Sequence, residues 1–249
     1  MLSRSNNNNR KHYYFNLTLF VFLAVTFLTP GLFAGEKSSL AEVSFDGLEL
    51  AKKGAHGFVY LSPGVDFAGY NNLLILECEV AFEKNWQKNF NRNAGNSVSA
   101  NKASDYDVEQ IKASVAEQFL EIFTKELGEK GGYPIVSEPT TTTLILRPAV
   151  INLNINAPVL DTSYRTRAWS AGHATLYLEL FDAKTGDILA RIVDTRVDRD
   201  HAYAQWATKA FNKAAGAQIM TTWATLLREG FENANEGKIK SGKHKETKE

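Results

Sequence analysis

The sequence feature that most constrains the fold is the alternation of apolar and polar residues from 174 to 198, ATLYLELFDAKTGDILARIVDTRVD. Its first half carries a leucine at every second position: Leu176, Leu178 and Leu180. Because side chains alternate across an extended chain, these leucines share one face of a strand. The middle predicts a turn, since Asp182 can accept backbone N–H groups and Gly186 suits a positive φ. We therefore predict a β-hairpin, and with it a sheet that buries one face.

The charged residues of this hairpin raise the question of a catalytic or metal site. On the returning strand the charges alternate in sign at every second residue: Asp194, Arg196 and Asp198. Neighbouring opposite charges on one face compensate each other and build no concentrated field. We interpret them as a compensated ladder on the solvent side of the hairpin.

Two other segments alternate as strands do. Residues 71 to 82 (NNLLILECEVAF) predict one strand whose buried face carries Leu74, Leu76, Cys78, Val80 and Phe82. Cys78 is therefore interpreted as a small buried hydrophobe and not as a reactive thiol. In the second segment, Pro148 indicates an edge or a bulge because it cannot donate to a ladder. Beyond it the apolar Ile151, Leu153 and Ile155 alternate with asparagines that we place on a wetter side: Asn152, Asn154 and Asn156.

Two long helices are predicted. The first runs from about residue 105 to 127, with Ser104 and Asp107 as a capping pair and Gly128 as its stop. Its apolar stripe is Val108, Ile111, Val115, Phe119 and Ile122. The second runs from about residue 202 to 233, and Gly216 would let it approach the sheet. Its buried side is Trp206, Ala210, Phe211, Ala214, Ala217, Met220, Trp223, Leu227 and Phe231.

These elements predict one α+β domain over residues 57–234, after a lead-in at 35–56. We expect a mainly antiparallel sheet of about five or six strands with both long helices packed on one face. Residues 83–104 form a polar insertion, in which Trp86 and Phe90 indicate a helical turn. The charged tail at 235–249 is predicted to be disordered.

The first 34 residues have the pattern of a secretory signal peptide. Three basic residues precede the apolar run LTLFVFLAVTFL, and Leu32-Phe33-Ala34 offers a cleavage point before Gly35. A retained membrane anchor is the alternative, although the run is shorter than the roughly twenty residues that span a bilayer. A bacterial lipoprotein needs a cysteine directly after its signal peptide, whereas the one thiol here is Cys78. We therefore expect an exported protein of the periplasm or cell envelope, free or held by its own N-terminus, without a lipid.

The charge balance gives no reason to expect a nucleic-acid partner. The chain has 28 basic and 28 acidic residues, and removal of the three basic residues of the leader leaves 25 against 28. Peripheral membrane association is compatible with this near-neutral chain. Nothing in the sequence indicates an oligomeric state.

The sequence lacks five common catalytic or cofactor motifs. G-x-S-x-G, G-x-G-x-x-G, the Walker loop, H-E-x-x-H and C-x-x-C are all absent, so we expect no cofactor. The best metal candidate is Asp198, Asp200 and His201, but at a strand end these side chains would point to different faces. Asp200 has a simpler role as the N-cap of the second helix.

The loop at residues 157–172 is the better candidate for a functional surface. It brings arginines and aromatic residues close together: Tyr164, Arg165, Arg167 and Trp169. Arginine, tyrosine and tryptophan are the residues that dominate binding hot spots. The competing interpretation is a solvated loop whose Trp169 packs onto the core.

Several segments together resemble the bacterial envelope family called domain of unknown function 3313. They are GFVYLSPGVDFAGYNNLLILECEV, KELGEKGGYPIVSEP, TLILRPAVINL and ATLYLELFDAKTGDILARIVDTR, within residues 57–233. The resemblance implies an exported protein, often a lipoprotein in this family, and no known catalytic residues. This chain departs from that pattern because it lacks the lipid-bearing cysteine.

Two functional hypotheses follow. The first is a non-enzymatic envelope protein that binds an envelope protein or surface component through the 157–172 loop. The alternative is a carboxylate- or metal-dependent periplasmic hydrolase that uses Asp198 and Asp200. A concave pocket that holds either aspartate with His173 or His201 would favour the hydrolase.

Overall fold

A computed structural model describes residues 40–94, 102–160, 166–199 and 201–235. The main sheet contains β1 (Glu49–Lys53), β2 (Gly57–Leu61), β3 (Asn72–Ile75), β4 (Glu79–Phe82), β5 (Thr143–Ile155), β7 (Gly172–Asp182) and β8 (Ile188–Val197). A separate two-stranded ribbon consists of β6 (Arg167–Ala168) and β9 (Gln205–Trp206). The helices are α1 (Trp86–Asn93), α2 (Asp105–Phe123) and α3 (Lys209–Asn235), and α2 continues as a π-helix over Thr124–Lys130.

The sheet confirms the predicted α+β class and has mixed strand directions. Its order is β1-β2-β8-β7-β5-β3, with β4 also paired to β5. Neighbouring strands in the series β1-β2-β8-β7-β5 are antiparallel. In contrast, β3 and β4 both run parallel to β5. The edge strand β1 lies inside the segment that was interpreted as a lead-in.

The predicted hairpin is confirmed as β7 and β8. The Lys184 backbone N–H donates to Oδ1 of Asp182 at 2.7 Å, and Gly186 has a φ of +79°. The leucines of β7 face the helices, where they pack with residues of α2 and α3 in one core: Phe119, Phe123, Trp223, Leu227 and Phe231. Both long helices therefore cover the same face of the sheet, as predicted.

The segment from 71 to 82 is two strands and not one. Leu73 and Ile75 of β3 pack into the core, while Leu76 is exposed. The chain changes phase between β3 and β4, so that Cys78 and Val80 return to the core. The predicted face was wrong for Leu74 and Leu76. Both short strands pair with β5, and one regular strand could not make both pairings.

A β-bulge at Asn152 interrupts the alternation predicted for β5. Asn152 has a φ of +50°, a conformation that asparagine adopts more readily than most residues. Ile151, before the bulge, lies opposite Thr175 on the side away from the helices, and the bulge then brings Leu153 into the core. Asn152 and Asn156 are exposed as predicted. The Asn154 side chain donates from Nδ2 to Oε2 of Glu83 at 2.6 Å.

The capping box that begins α2 is confirmed, but its predicted end is wrong. The Ser104 side chain accepts the Asp107 backbone N–H, and the Asp107 side chain accepts the Ser104 N–H. The helical path passes Gly128 as a π-helix and ends at Lys130, and the chain turns away at Gly132, which has a φ of +73°. There the Tyr133 N–H donates to the Leu127 carbonyl and the Gly132 N–H to the Gly128 carbonyl, both at 3.1 Å, so the last turn of the helix keeps partners for these carbonyls.

The second long helix begins later than predicted. It starts at Lys209, and the Thr208 hydroxyl accepts the Phe211 N–H at 3.0 Å, so Thr208 and not Asp200 is its cap. Met220, Trp223, Leu227 and Phe231 are buried as predicted, whereas Trp206, Ala210 and Ala214 are exposed. A Cβ at Gly216 would lie 3.0 Å from Oε1 of Gln118, so the close approach is to α2 and not to the sheet.

The polar insertion begins with the predicted helical turn. Trp86 of α1 is buried and stacks on Phe82, with ring centroids 4.2 Å apart. Within the described ranges, no helix is both long and apolar enough to cross a membrane.

Candidate functional site

The predicted loop site is present in part. Tyr164 and Arg165 lie outside the described residues, as does Asp200. Arg167 and Trp169 are described, and both are exposed. Ala168 between them is buried; Arg167 belongs to the ribbon strand β6, and Trp169 follows directly after it.

The second ribbon strand completes this surface. Arg167 pairs with Trp206 across the β6–β9 ribbon, and its guanidinium carbon lies 4.1 Å from the indole centroid. That distance is well inside the range of a cation–π contact. The His201 N–H donates to the Trp169 carbonyl at 2.7 Å, which ties the residues before β9 to the end of β6.

We name this surface the aromatic patch: Arg167, Trp169, Tyr203 and Trp206. Its aromatic side chains remain in solvent, with Trp169 58%, Tyr203 78% and Trp206 48% exposed. Sequence reasoning missed Tyr203 and Trp206 because it assigned them to the helix. The signal that could have found them is Thr208, a good N-cap residue that restarts the helix after both aromatics.

The charged residues of the hairpin are not a solvated ladder, contrary to the prediction. Asp194 and Arg196 lie on the side of the sheet that faces the helices, 2.5 Å apart (Oδ1 to Nε). Oδ1 of Asp194 also accepts the Trp223 indole N–H at 2.9 Å. Asp194 therefore links α3 to the sheet, and Arg196 pairs with its charge.

The metal candidate gains no support from the geometry of its described members. Asp198 is buried and its Oδ2 accepts the Ala171 N–H at 2.7 Å. Nε2 of His201 lies 4.0 Å from that oxygen. Across residues 40–94, 102–160, 166–199 and 201–235, no group of three His, Cys, Asp or Glu side chains is arranged to hold a metal ion.

A cavity of about 740 Å³ lies between the first halves of α2 and α3 and the end of the sheet formed by β5 and β7. Its walls are mainly apolar and include Leu153, Ala174, Met220 and Trp223. Asp198 and His173 also line it, which places an aspartate and a histidine in one concave space. Sequence reasoning did not predict the cavity, because it depends on the distance between two helices.

The single thiol does not contribute to either site. Burial raises the pKa of Cys78 to about 12, so the thiolate that would act as a nucleophile is scarce near neutral pH. The interpretation of Cys78 as a small buried hydrophobe is confirmed.

The chain matches the family model described as Protein of unknown function (DUF3313) over residues 36–226. No curated protein matches it. Among solved structures, a PelC dodecamer from Paraburkholderia phytofirmans is 10% identical, covers 69% of this chain and 97% of its own, and has a TM-score of 0.36. A Xanthomonas campestris protein is 13% identical, with 77% of this chain and 95% of that chain covered and a TM-score of 0.35. TM-scores this low carry no inference about function or assembly, so the family match is what the comparisons contribute.

Proposed function

The chain belongs to the DUF3313 family of unknown function, and we propose that it is an exported, non-enzymatic cell-envelope protein that binds a protein or surface partner. The signal-peptide pattern of residues 1–34 supports export to the periplasm. The aromatic patch supports binding and is the proposed contact surface. We infer that the partner is an envelope protein or a surface component, and not a nucleic acid.

The observation that carries this proposal is the exposure of two tryptophans and a tyrosine within or next to one short ribbon. A folded protein seldom leaves such large apolar side chains together in water unless they serve an interaction. Backbone pairing and the contact with Arg167 hold Trp206 in the ribbon, and the His201 N–H holds the backbone of Trp169 beside it. A preordered surface loses little side-chain freedom on binding, which favours affinity.

The experiment is a comparison of partners captured from the envelope of the producing bacterium. Wild-type protein and the Trp169→Ala/Trp206→Ala variant are cross-linked in cells, purified and examined by quantitative mass spectrometry. Loss of two hot-spot residues should weaken binding by at least about thirtyfold, so the specific partner should disappear from the variant.

The matched control is Leu120→Ala/Leu226→Ala, which removes two similarly exposed apolar side chains from helix surfaces. It should retain every partner that the wild type captures. If the patch variant and the control capture the same partners as the wild type, the aromatic patch is not the contact surface.

A carboxylate-dependent hydrolase is the second candidate function. One observation favours it: Asp198 and His173 line the same cavity, where a substrate could meet both. The arrangement of Asp198 argues against it, because one carboxylate oxygen is already engaged by the Ala171 N–H.

Ester hydrolysis with p-nitrophenyl acetate tests this candidate. Asp198→Asn keeps an oxygen that can accept the Ala171 N–H but removes the acid–base group. If the cavity is catalytic, the rate should fall by about a hundredfold or more. Equal rates for the two proteins would exclude Asp198 as a general acid or base.

A further inference from the structure

We propose that the cavity between α2 and α3 binds an uncharged, mainly apolar molecule that carries a hydroxyl or N–H donor. This site is separate from the aromatic patch and does not depend on the proposed partner. We name it the interhelical cavity and define it by six of its lining residues: Ser114, Gln118, Leu153, Asn212, Met220 and Trp223.

Size and lining favour a small organic ligand. The volume of about 740 Å³ falls within the roughly 300–1,000 Å³ that is typical of small-molecule sites. The deeper wall is formed by buried apolar side chains such as Met220 and Trp223, while Ser114 is exposed and marks the mouth. The ligand body must therefore be apolar.

The Gln118 side chain supplies a hydrogen-bond acceptor in this wall. Gln118 is only 8% exposed, and its Nε2 donates to the Lys213 carbonyl at 2.7 Å. Because a carbonyl can only accept, this bond fixes which end of the amide is the nitrogen. The other end, Oε1, is an acceptor, so a ligand that reaches this oxygen needs a donor group.

Asn212 repeats the same arrangement on α3. Its Nδ2 donates to the Ala157 carbonyl at 3.1 Å, which again fixes the amide orientation. Its Oδ1 is shielded from solvent and has no hydrogen-bond partner in the described part of the chain. A buried acceptor without a donor destabilises a protein, and a ligand donor drawn between the helices would relieve that cost.

The charges around the cavity favour an uncharged ligand. Asp107 and Asp198 line it together with Lys209 and Lys213, so two carboxylates stand beside two ammonium groups. Opposite charges in equal number provide no net field that would select an anion or a cation.

The test uses N-phenyl-1-naphthylamine, an uncharged aromatic probe with one N–H donor whose fluorescence rises in apolar surroundings. The protein, as processed and purified from the producing host, should bind the probe saturably. Gln118→Met should weaken binding by about threefold to tenfold, the contribution of one neutral hydrogen bond. The N-methyl derivative of the probe has no N–H, so it should bind the wild type correspondingly less well.

Steric closure locates the bound probe. Ser114→Trp places an indole at the mouth and should weaken binding at least tenfold. The control is Ala113→Trp. Ala113 is the neighbour of Ser114 and is also exposed on α2, but it does not line the cavity, so this variant should bind like the wild type. Thermal melts establish that each variant is folded. If Gln118→Met does not fold, the comparison of the probe with its N-methyl derivative on the wild type tests whether the site requires a donor.

The outcome is independent of the proposed partner surface. Trp169→Ala/Trp206→Ala should bind the probe with unchanged affinity, so failure of either proposal leaves the other standing. Absence of saturable binding, or equal weakening by both tryptophan substitutions on α2, would overturn the cavity as a ligand site. Equal affinity for the probe and its N-methyl derivative would overturn the requirement for a donor.

Discussion

At the scale of single residues, a buried ion network lies on the face of the sheet away from the helices. Glu179 is 2% exposed and accepts hydrogen bonds from Arg191, Arg147 and the Tyr177 hydroxyl. Arg191 also binds Asp46, which joins the segment before β1 to the middle of the sheet. Burial of these charges is costly, and the network offsets that cost only while every partner is present.

Removal of Arg191 should therefore destabilise the fold strongly. Arg191→Met leaves the Glu179 carboxylate buried with fewer donors and releases Asp46, so the free energy of unfolding should fall by about 3–5 kcal/mol. Urea denaturation followed by circular dichroism measures this change. The control is Lys112→Met, which breaks an exposed pair with Glu109 and should cost at most about 0.5 kcal/mol. Similar losses in the two variants would contradict a structural role for the network.

The same network should make stability depend on acid. Burial raises the pKa of Glu179, but the hydrogen bonds from Arg191, Arg147 and Tyr177 outweigh burial and bring it below its ordinary value. The hydrogen bond from Arg191 likewise lowers the pKa of Asp46. A carboxyl with a lowered pKa in the folded state stabilises the protein above its unfolded pKa and loses that contribution as the pH falls through the folded pKa.

We therefore expect the free energy of unfolding to fall as the pH decreases below about 4.5, the region where unfolded carboxyl groups begin to bind protons. Urea denaturation at a series of pH values from 7 to 3 measures the slope. Glu179→Gln should show a shallower slope than the wild type. An identical slope would mean that other carboxyl groups cause the acid sensitivity.

At the scale of elements, the ends of the helices are defined by residues that local sequence reasoning weighs poorly. Gly128 and Gly132 both suit the end of a helix, but the helix continues past Gly128 and the chain turns only at Gly132. Tertiary packing accounts for the difference between the two glycines. Leu127 is fully buried in the core, and the π-helical path carries it there before the chain turns at Gly132.

Two glycine substitutions should have opposite effects on stability. Gly132→Ala forces a side chain into the left-handed conformation and should lower the free energy of unfolding by about 1–2 kcal/mol. Gly230→Ala lies within α3 with open space around its Cβ position and should raise it by about 0.5–1 kcal/mol. Thermal and urea denaturation of both variants decide the matter, and a stabilised Gly132→Ala would contradict the assigned helix end.

At the scale of the whole molecule, the two long helices lie on one face of the sheet and share its core. They approach closely where Gly216 meets Gln118. Their first halves enclose the interhelical cavity, while the ribbon carries the aromatic patch. The fold thus provides one concave apolar site and one exposed aromatic surface.

Export should be accompanied by removal of the leader, residues 1–34, from the protein in the cell. The proposed signal peptide predicts a chain that starts near Gly35, carries no lipid and is lighter than the 27.7 kDa of the full sequence. Intact-mass measurement of protein purified from a Gram-negative host, together with periplasmic fractionation, tests this. A mass that matches residues 1–249 would mean that the segment is retained as an anchor, and a cytoplasmic location would contradict export.

The sequence by itself determined the features that depend on near neighbours. The hairpin, the capping box at Ser104 and the buried side of α3 from Met220 to Phe231 follow from turn chemistry, capping and periodicity within a few residues. Half of the described aromatic patch, Arg167 and Trp169, was found from composition alone. The family resemblance was also carried by such local segments and is confirmed.

Only the tertiary structure decided what depends on distant pairing. The parallel course of β3 and β4 along β5, the pairing of Arg167 with Trp206 and the bond from Arg191 to Asp46 join residues far apart in the chain. The interhelical cavity likewise depends on how two helices that begin at Asp105 and Lys209 pack on one sheet. Local propensities are individually weak, and burial summed over the whole core overrides them where the two disagree. That is why the phase of β3 and the first residue of α3 could not be inferred from their own sequence.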